Sequence, residues 1–123
     1  LFVTPQQKIY YSGDSGYGPH FKAIGEQFGP IDLAIMENGQ YDQDWKYIHM
    51  MPEETAQAAD DLRARSVLPG HAGRFVLAKH SWDDPYQRLA AASEGREWRL
   101  VTPMLGEPVW VADKTQSFNA WWR

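Results

Sequence analysis

The chain has 123 residues, 43% hydrophobic and 14% aromatic, which is enough for one core, too little for two ordinary domains, and unlike the polar, aromatic-poor composition of disorder. A formal net charge of -4 argues against a nucleic-acid footprint, which needs clustered Lys and Arg, and zero cysteines exclude disulfide scaffolds and thiolate zinc sites. No apolar run approaches the roughly 20 residues that cross a bilayer, and no charged-then-apolar leader opens the chain, so it reads as soluble and cytoplasmic.

Residues 1–3 and 8–12 are short runs of β-formers around Thr4-Pro5-Gln6-Gln7, the spacing of a hairpin with a longer loop. The chain enters this hairpin directly from Leu1, without a methionine, so residues 1–123 are expected to be a single domain that is a fragment of a larger one. Gly13-Asp14-Ser15-Gly16-Tyr17-Gly18 follows, a segment free to turn sharply at the end of a strand. Pro19 and Gly29 bracket a helix over 19–28, with Phe21, Ile24 and Phe28 on one face. The unbroken apolar run 31–36 predicts a strand buried on both faces.

From 37 to 51 no period is clear, and the segment holds Asn38, Gly39, Asp42, Asp44 and His49, the make-up of an ordered functional loop. Pro52 opens the clearest helix, with Glu53 and Glu54 in its first turn, Arg63 and Arg65 in its last, and Ala56, Ala59 and Leu62 facing the core. A strand over 66–68 is expected to end at Pro69-Gly70, with His71 in the glycine-flanked turn beyond it and apolar residues continuing over 75–78. Asp83, Asp84 and Pro85 start a further helix that ends at Gly95. Residues 98–102 and 109–111 are two closing strands, and 118–123, with Trp121-Trp122, need cover. The alternation of strand and helix gives an α/β fold with a mixed sheet and flanking helices.

Asp14, His49 and His71 all fall at predicted strand ends or in the loops beside them, where α/β folds place ligands and catalytic groups. A carboxylate with neutral imidazoles is a natural set of ligands for a divalent metal that lowers the pKa of bound water, which is hydrolytic chemistry. Each residue also has a plain structural reading: an Asp between glycines bonds its own backbone in a turn, and a lone His in a loop is commonly a satisfied structural side chain. His20 takes only that second reading.

The strings Gly13-Asp14-Ser15-Gly16-Tyr17, Phe28-Gly29-Pro30-Ile31-Asp32-Leu33-Ala34, His49-Met50-Met51-Pro52-Glu53-Glu54 and Pro69-Gly70-His71-Ala72-Gly73-Arg74-Phe75-Val76-Leu77-Ala78 occur in that order. In this the chain resembles the metallo-β-lactamase superfamily over about residues 8 to 86. The branch it is most similar to contains N-acylphosphatidylethanolamine-hydrolysing phospholipase D, RomA-like proteins and, more distantly, ascorbate-6-phosphate lactonase. The resemblance implies the C-terminal half of an αββα sandwich. It further implies two metal ions, zinc by preference with manganese or iron as alternatives, and a bridging hydroxide that attacks a phosphodiester, lactone or other ester.

Carried over by position, Asp14 matches the metal-bridging aspartate, His71 the late histidine of the second metal, and His49 a histidine that contacts substrate or the developing oxyanion. Gly70 and Ala72 depart from the apolar residue and tryptophan usual beside that late histidine. His80 lies in a RomA-type stretch and is read as structural or supporting. The His-x-His-x-Asp-His motif of the superfamily is absent from these residues, so the isolated chain is expected to be an inactive part of a metal-dependent hydrolase. Its expected partners are the N-terminal half of the same fold and a small-molecule or lipid-like ester substrate, with a homo-oligomer also open.

Two rival readings remain. Gly13-Asp14-Ser15-Gly16 echoes the nucleophile loop of trypsin-like proteases, with Ser15 as nucleophile. A non-catalytic assembly module would instead use the tryptophan-rich surface to dimerise.

Overall fold

The computed structural model describes residues 1–75 and 77–123. A hairpin of β1 (Phe2–Val3) and β2 (Lys8–Tyr11) leads through α1 (His20–Phe28) to β3 (Leu33–Glu37). After a 3-10 turn at Gln43–Trp45 come α2 (Pro52–Asp61), β4 (Ser66–Gly70), α3 (Asp84–Ser93) and β5 (Arg99–Leu100). The five strands are ordered β1-β2-β3-β4-β5, antiparallel between the first two and parallel thereafter. The expected mixed α/β sheet is therefore the one observed.

Sequential parallel strands joined by crossovers of one hand place every crossover helix on the same face. The side-chain rows agree with this. Tyr10, Ala34 and Val67 pair across β2, β3 and β4, and they share one buried cluster with Phe21 of α1, Ala56 and Ala59 of α2, and Leu89 of α3. Alternation turns the neighbouring row, Tyr11, Ile35 and Leu68, to the other face, where Tyr11 is 62% exposed and Ile35 and Leu68 are half-buried. One face of the sheet is thus covered by helices, while on the other Leu33 is buried and the row of Tyr11, Ile35 and Leu68 stays partly exposed.

Several boundaries differ from the sequence reading, each for a local reason. Helix α2 stops at Asp61, and Arg63 takes a left-handed backbone (φ 55), so Arg63 and Arg65 lie past the last turn rather than in it. Pro69 and Gly70 continue β4 instead of ending it, paired with Met36 and Glu37. Glu37 belongs to β3, not to the loop that follows. Residues 109–111 form no strand, and Trp110 is exposed. Phe75 and Leu77 are exposed rather than a continuing apolar run, and Val76 lies outside the described residues. The terminal tryptophans find their cover on α3: Trp122 stacks on Tyr86 at 5.3 Å and is 5% exposed. Among the described residues no helix is long and apolar enough to cross a membrane.

Candidate metal centre

Parallel strands point their C-terminal ends the same way, and at that edge of β2, β3 and β4 the chain collects Asp14, Glu37 and His71. Asp14 follows β2 in a loop opened by Gly13 in the left-handed region (φ 61). Gly16 lets this loop lie against the backbone of Lys46 and Tyr47, donating its N–H to the Tyr47 carbonyl at 3.3 Å; a β-carbon there would meet Lys46 O at 2.5 Å. The close approach brings the Asp14 loop beside the segment that carries His49.

The sequence reading missed Glu37, and it organises the site. Only 2% exposed, its Oε2 accepts the Met50 N–H at 2.8 Å, and its Oε1 accepts the Gly39 N–H at 3.3 Å and lies 3.2 Å from His49 Nδ1. Its own N–H donates to Ser12 Oγ at 2.8 Å, and its carbonyl accepts from Thr55 Oγ1 at 3.0 Å. The next three residues each hold a different segment. Asn38 donates to the Pro85 carbonyl of α3 at 2.9 Å. Gly39 has no room for a β-carbon, because the His71 carbonyl lies against it. Gln40 donates to Phe75 O at 2.8 Å and accepts from Leu77 N at 3.2 Å. An acid closing an otherwise apolar strand, followed by Asn-Gly, was the available signal, since burying a charge is costly unless it is hydrogen-bonded.

His71 follows β4 with a left-handed backbone (φ 60), uncommon for a residue with a β-carbon. Its ring stacks on His49, centroids 5.3 Å apart at 17°, and its Nδ1 lies 3.7 Å from Asp14 Oδ1. The three residues expected from the sequence are therefore brought together, unequally. The His49 side chain is 11% exposed and Glu37 1%, whereas His71 is 39% and Asp14 64% exposed. Glu37, His49 and His71 each offer a ligand atom within 4.8 Å of the others. Two imidazoles and two carboxylates make a nitrogen–oxygen donor set that suits a divalent ion.

The other histidines stay outside this group. His80 stacks on Tyr41 at 4.0 Å with its Nδ1 2.8 Å from the Ser81 carbonyl, a structural placement. Burial, followed by the hydrogen bond to Asp84, pushes the Tyr41 hydroxyl well above its ordinary pKa. His20 Nε2 lies 3.4 Å from Ser15 Oγ, but that hydroxyl donates to the Gly16 carbonyl at 2.9 Å, away from the imidazole. Beside His71 a cleft of about 330 Å³ is lined by Gln40, Ala72, Arg74, Phe75 and Leu77.

A mixed α/β sheet with imidazoles and carboxylates gathered at the C-terminal ends of its parallel strands defines an α/β protein with a candidate metal centre. Comparison with known proteins makes this particular: a family model described as a β-lactamase superfamily domain matches residues 1–72, and the chain belongs to that family. Over 100 residues the chain is 93% identical to the outer membrane protein RomA of Klebsiella pneumoniae, covering 81% of this chain and 69% of that protein. It is 36% identical over 105 residues to the mitochondrial N-acyl-phosphatidylethanolamine-hydrolysing phospholipase D of Saccharomyces cerevisiae, covering 80% of this chain and 22% of the yeast protein. The metallo hydrolase Igni18 of Ignicoccus hospitalis shares the fold, with a TM-score of 0.62 at 22% identity, over 83% of this chain and 40% of that structure. The chain thus spans about two thirds of one curated relative and less than a quarter of the other.

Proposed function

We propose that this chain is the C-terminal part of a metal-dependent hydrolase that cleaves a phosphodiester, lactone or other ester. The observation that carries the reading is the meeting of Asp14 and His71 at 3.7 Å, with His49 stacked on His71, at the strand edge where α/β folds bind ligands. Asp14 and His71 would hold the metal, zinc by preference. When bound, such an ion polarises the ester and lowers the pKa of water near it. His49, held from behind by Glu37, is placed to contact the substrate and, when both ring nitrogens carry a proton, to steady negative charge developing there. The cleft of Gln40, Ala72, Arg74, Phe75 and Leu77 gives the substrate a place beside these groups.

Asp14 and His71 are two ligands where zinc takes three or four, so the remaining ligands belong to the N-terminal half of the same fold. The open row of Tyr11, Ile35 and Leu68 supports a partner on that face. The same row also favours the second reading, an assembly module in which two copies of this chain cover it for each other.

Calorimetric titration of zinc, with His71→Ala as control, before and after mixing the chain with a separately made N-terminal half, tests the reading. Tight binding that arises only on mixing and fails in the variant is the expected result. No binding in either case, together with a metal-free dimer in light scattering, would replace the hydrolase reading with the assembly module.

A further inference from the structure

Among the described residues Glu37 is the only buried acid, and its surroundings specify a job. A carboxylate only accepts hydrogen bonds, and this one is ringed by donors: Met50 N–H on Oε2, and Gly39 N–H and, at 3.5 Å, Gln40 N–H on Oε1. In such surroundings the proton between Glu37 Oε1 and His49 Nδ1, 3.2 Å apart, sits on the imidazole. Nε2, which has no hydrogen-bond partner among the described residues, is then the nitrogen that keeps its lone pair. This is the less usual state of a neutral histidine, because an imidazole free in water prefers its proton on Nε2.

We propose that Glu37 is a positioning residue that fixes both the rotation and the tautomer of His49, so that the Nε2 lone pair is presented to the site formed with His71 and Asp14. On this assignment Glu37 orients His49 rather than binding the metal: Oε1 faces the imidazole and the Gly39 and Gln40 N–H groups, and Oε2 accepts from Met50 N–H. The arrangement matches the carboxylate–histidine pairs that orient metal-site imidazoles, in which one ring nitrogen is tied back and the other is left for a ligand. What Nε2 serves rests on the hydrolase reading above; the tautomer does not.

Nitrogen-15 NMR of the His49 ring in the chain, recorded with a chelator present, reads the tautomer directly. The expected pattern is a protonated Nδ1 and a bare Nε2. Glu37→Ala removes the acceptor and should move the proton predominantly to Nε2. Glu37→Gln, which keeps one acceptor oxygen but turns an N–H₂ toward a backbone donor, should give a mixture while preserving the fold. A wild-type His49 protonated on Nε2 would overturn the proposal even if neither variant folds, and so would an unchanged ring in a folded variant. Zinc titration of the full-length protein separates this from the reading it rests on. Glu37→Gln should lower hydrolysis of bis(p-nitrophenyl) phosphate by roughly 10–100-fold while zinc stays bound, whereas wild-type protein that binds no zinc would sink the hydrolase reading and leave the tautomer result to judge Glu37 alone.

Discussion

The two ends of the parallel sheet both gather charged side chains, and they treat them in opposite ways. At the N-terminal ends of β4 and β5 lies a cleft of about 580 Å³ lined by Arg63, Arg65, Arg96, Asp60 and Glu97, larger than the one beside His71. Most of its charges have structural partners. Arg65 pairs with Asp32 at 2.9 Å, and Asp32 also accepts the Lys8 N–H. Asp60 takes Arg96 and, at 2.8 Å, the Trp98 indole N–H, while Arg96 also donates to the Ala92 carbonyl. Helices α2 and α3 end here, and arginines suit the negative end of a helix dipole. At the C-terminal ends, Asp14 and His71 stand 3.7 Å apart, too far for a hydrogen bond. The size of a cleft is therefore a poor guide to chemistry in this molecule. Side chains that the fold positions but leaves without hydrogen-bond partners among the described residues are the better one.

The greatest loss should come from the one functional-edge residue that behaves like the structural edge. Glu37→Ala leaves buried donors from Met50, Gly39 and His49 without an acceptor, at about 1–3 kcal/mol for each unsatisfied group, so urea unfolding should show a loss of about 3 kcal/mol or more. Asp14→Ala should do the reverse in the full-length protein: zinc affinity falls by at least about tenfold, or 1.4 kcal/mol, while the unfolding free energy from urea melts changes by less than about 0.5 kcal/mol. His71→Asn, which keeps a residue that tolerates the left-handed backbone, should behave like Asp14→Ala. A large stability loss in either would erase the contrast between the two ends.

Asp60→Ala should cost about 1 kcal/mol through its lost hydrogen bonds and leave zinc affinity unchanged. Smallest is the Glu53–Arg88 pair, half-exposed on α2 and α3, where the hydrogen bonds from Arg88 hold the Glu53 carboxyl below the usual range. A depressed carboxyl stabilises above its unfolded pKa and loses that contribution as pH falls through the folded one. Glu53→Gln should therefore cost about 0.5 kcal/mol at pH 7, and the difference from wild type should vanish in urea melts at low pH.

Local signals made the α/β alternation, the helix at Pro52 and the placing of Asp14, His49 and His71 near strand ends legible in the sequence, because proline, glycine and hydrophobic period act within a few residues. The same signals misplaced Pro69 and Gly70, which remain in β4 because β3 pairs with them, and 109–111, whose apolar residues find no strand to join. Glu37 escaped for a related reason: a carboxylate at the end of an apolar run reads as the start of a loop unless its distant donors are known. Met50 and His49 lie 13 and 12 residues away in the chain. The sequence by itself determined which residue types were available for a nitrogen–oxygen site and roughly where the strands end. Only the tertiary structure decided which of them meet, since the parallel register of β2, β3 and β4 sets the edge and one buried carboxylate selects the orientation of the histidine beside it.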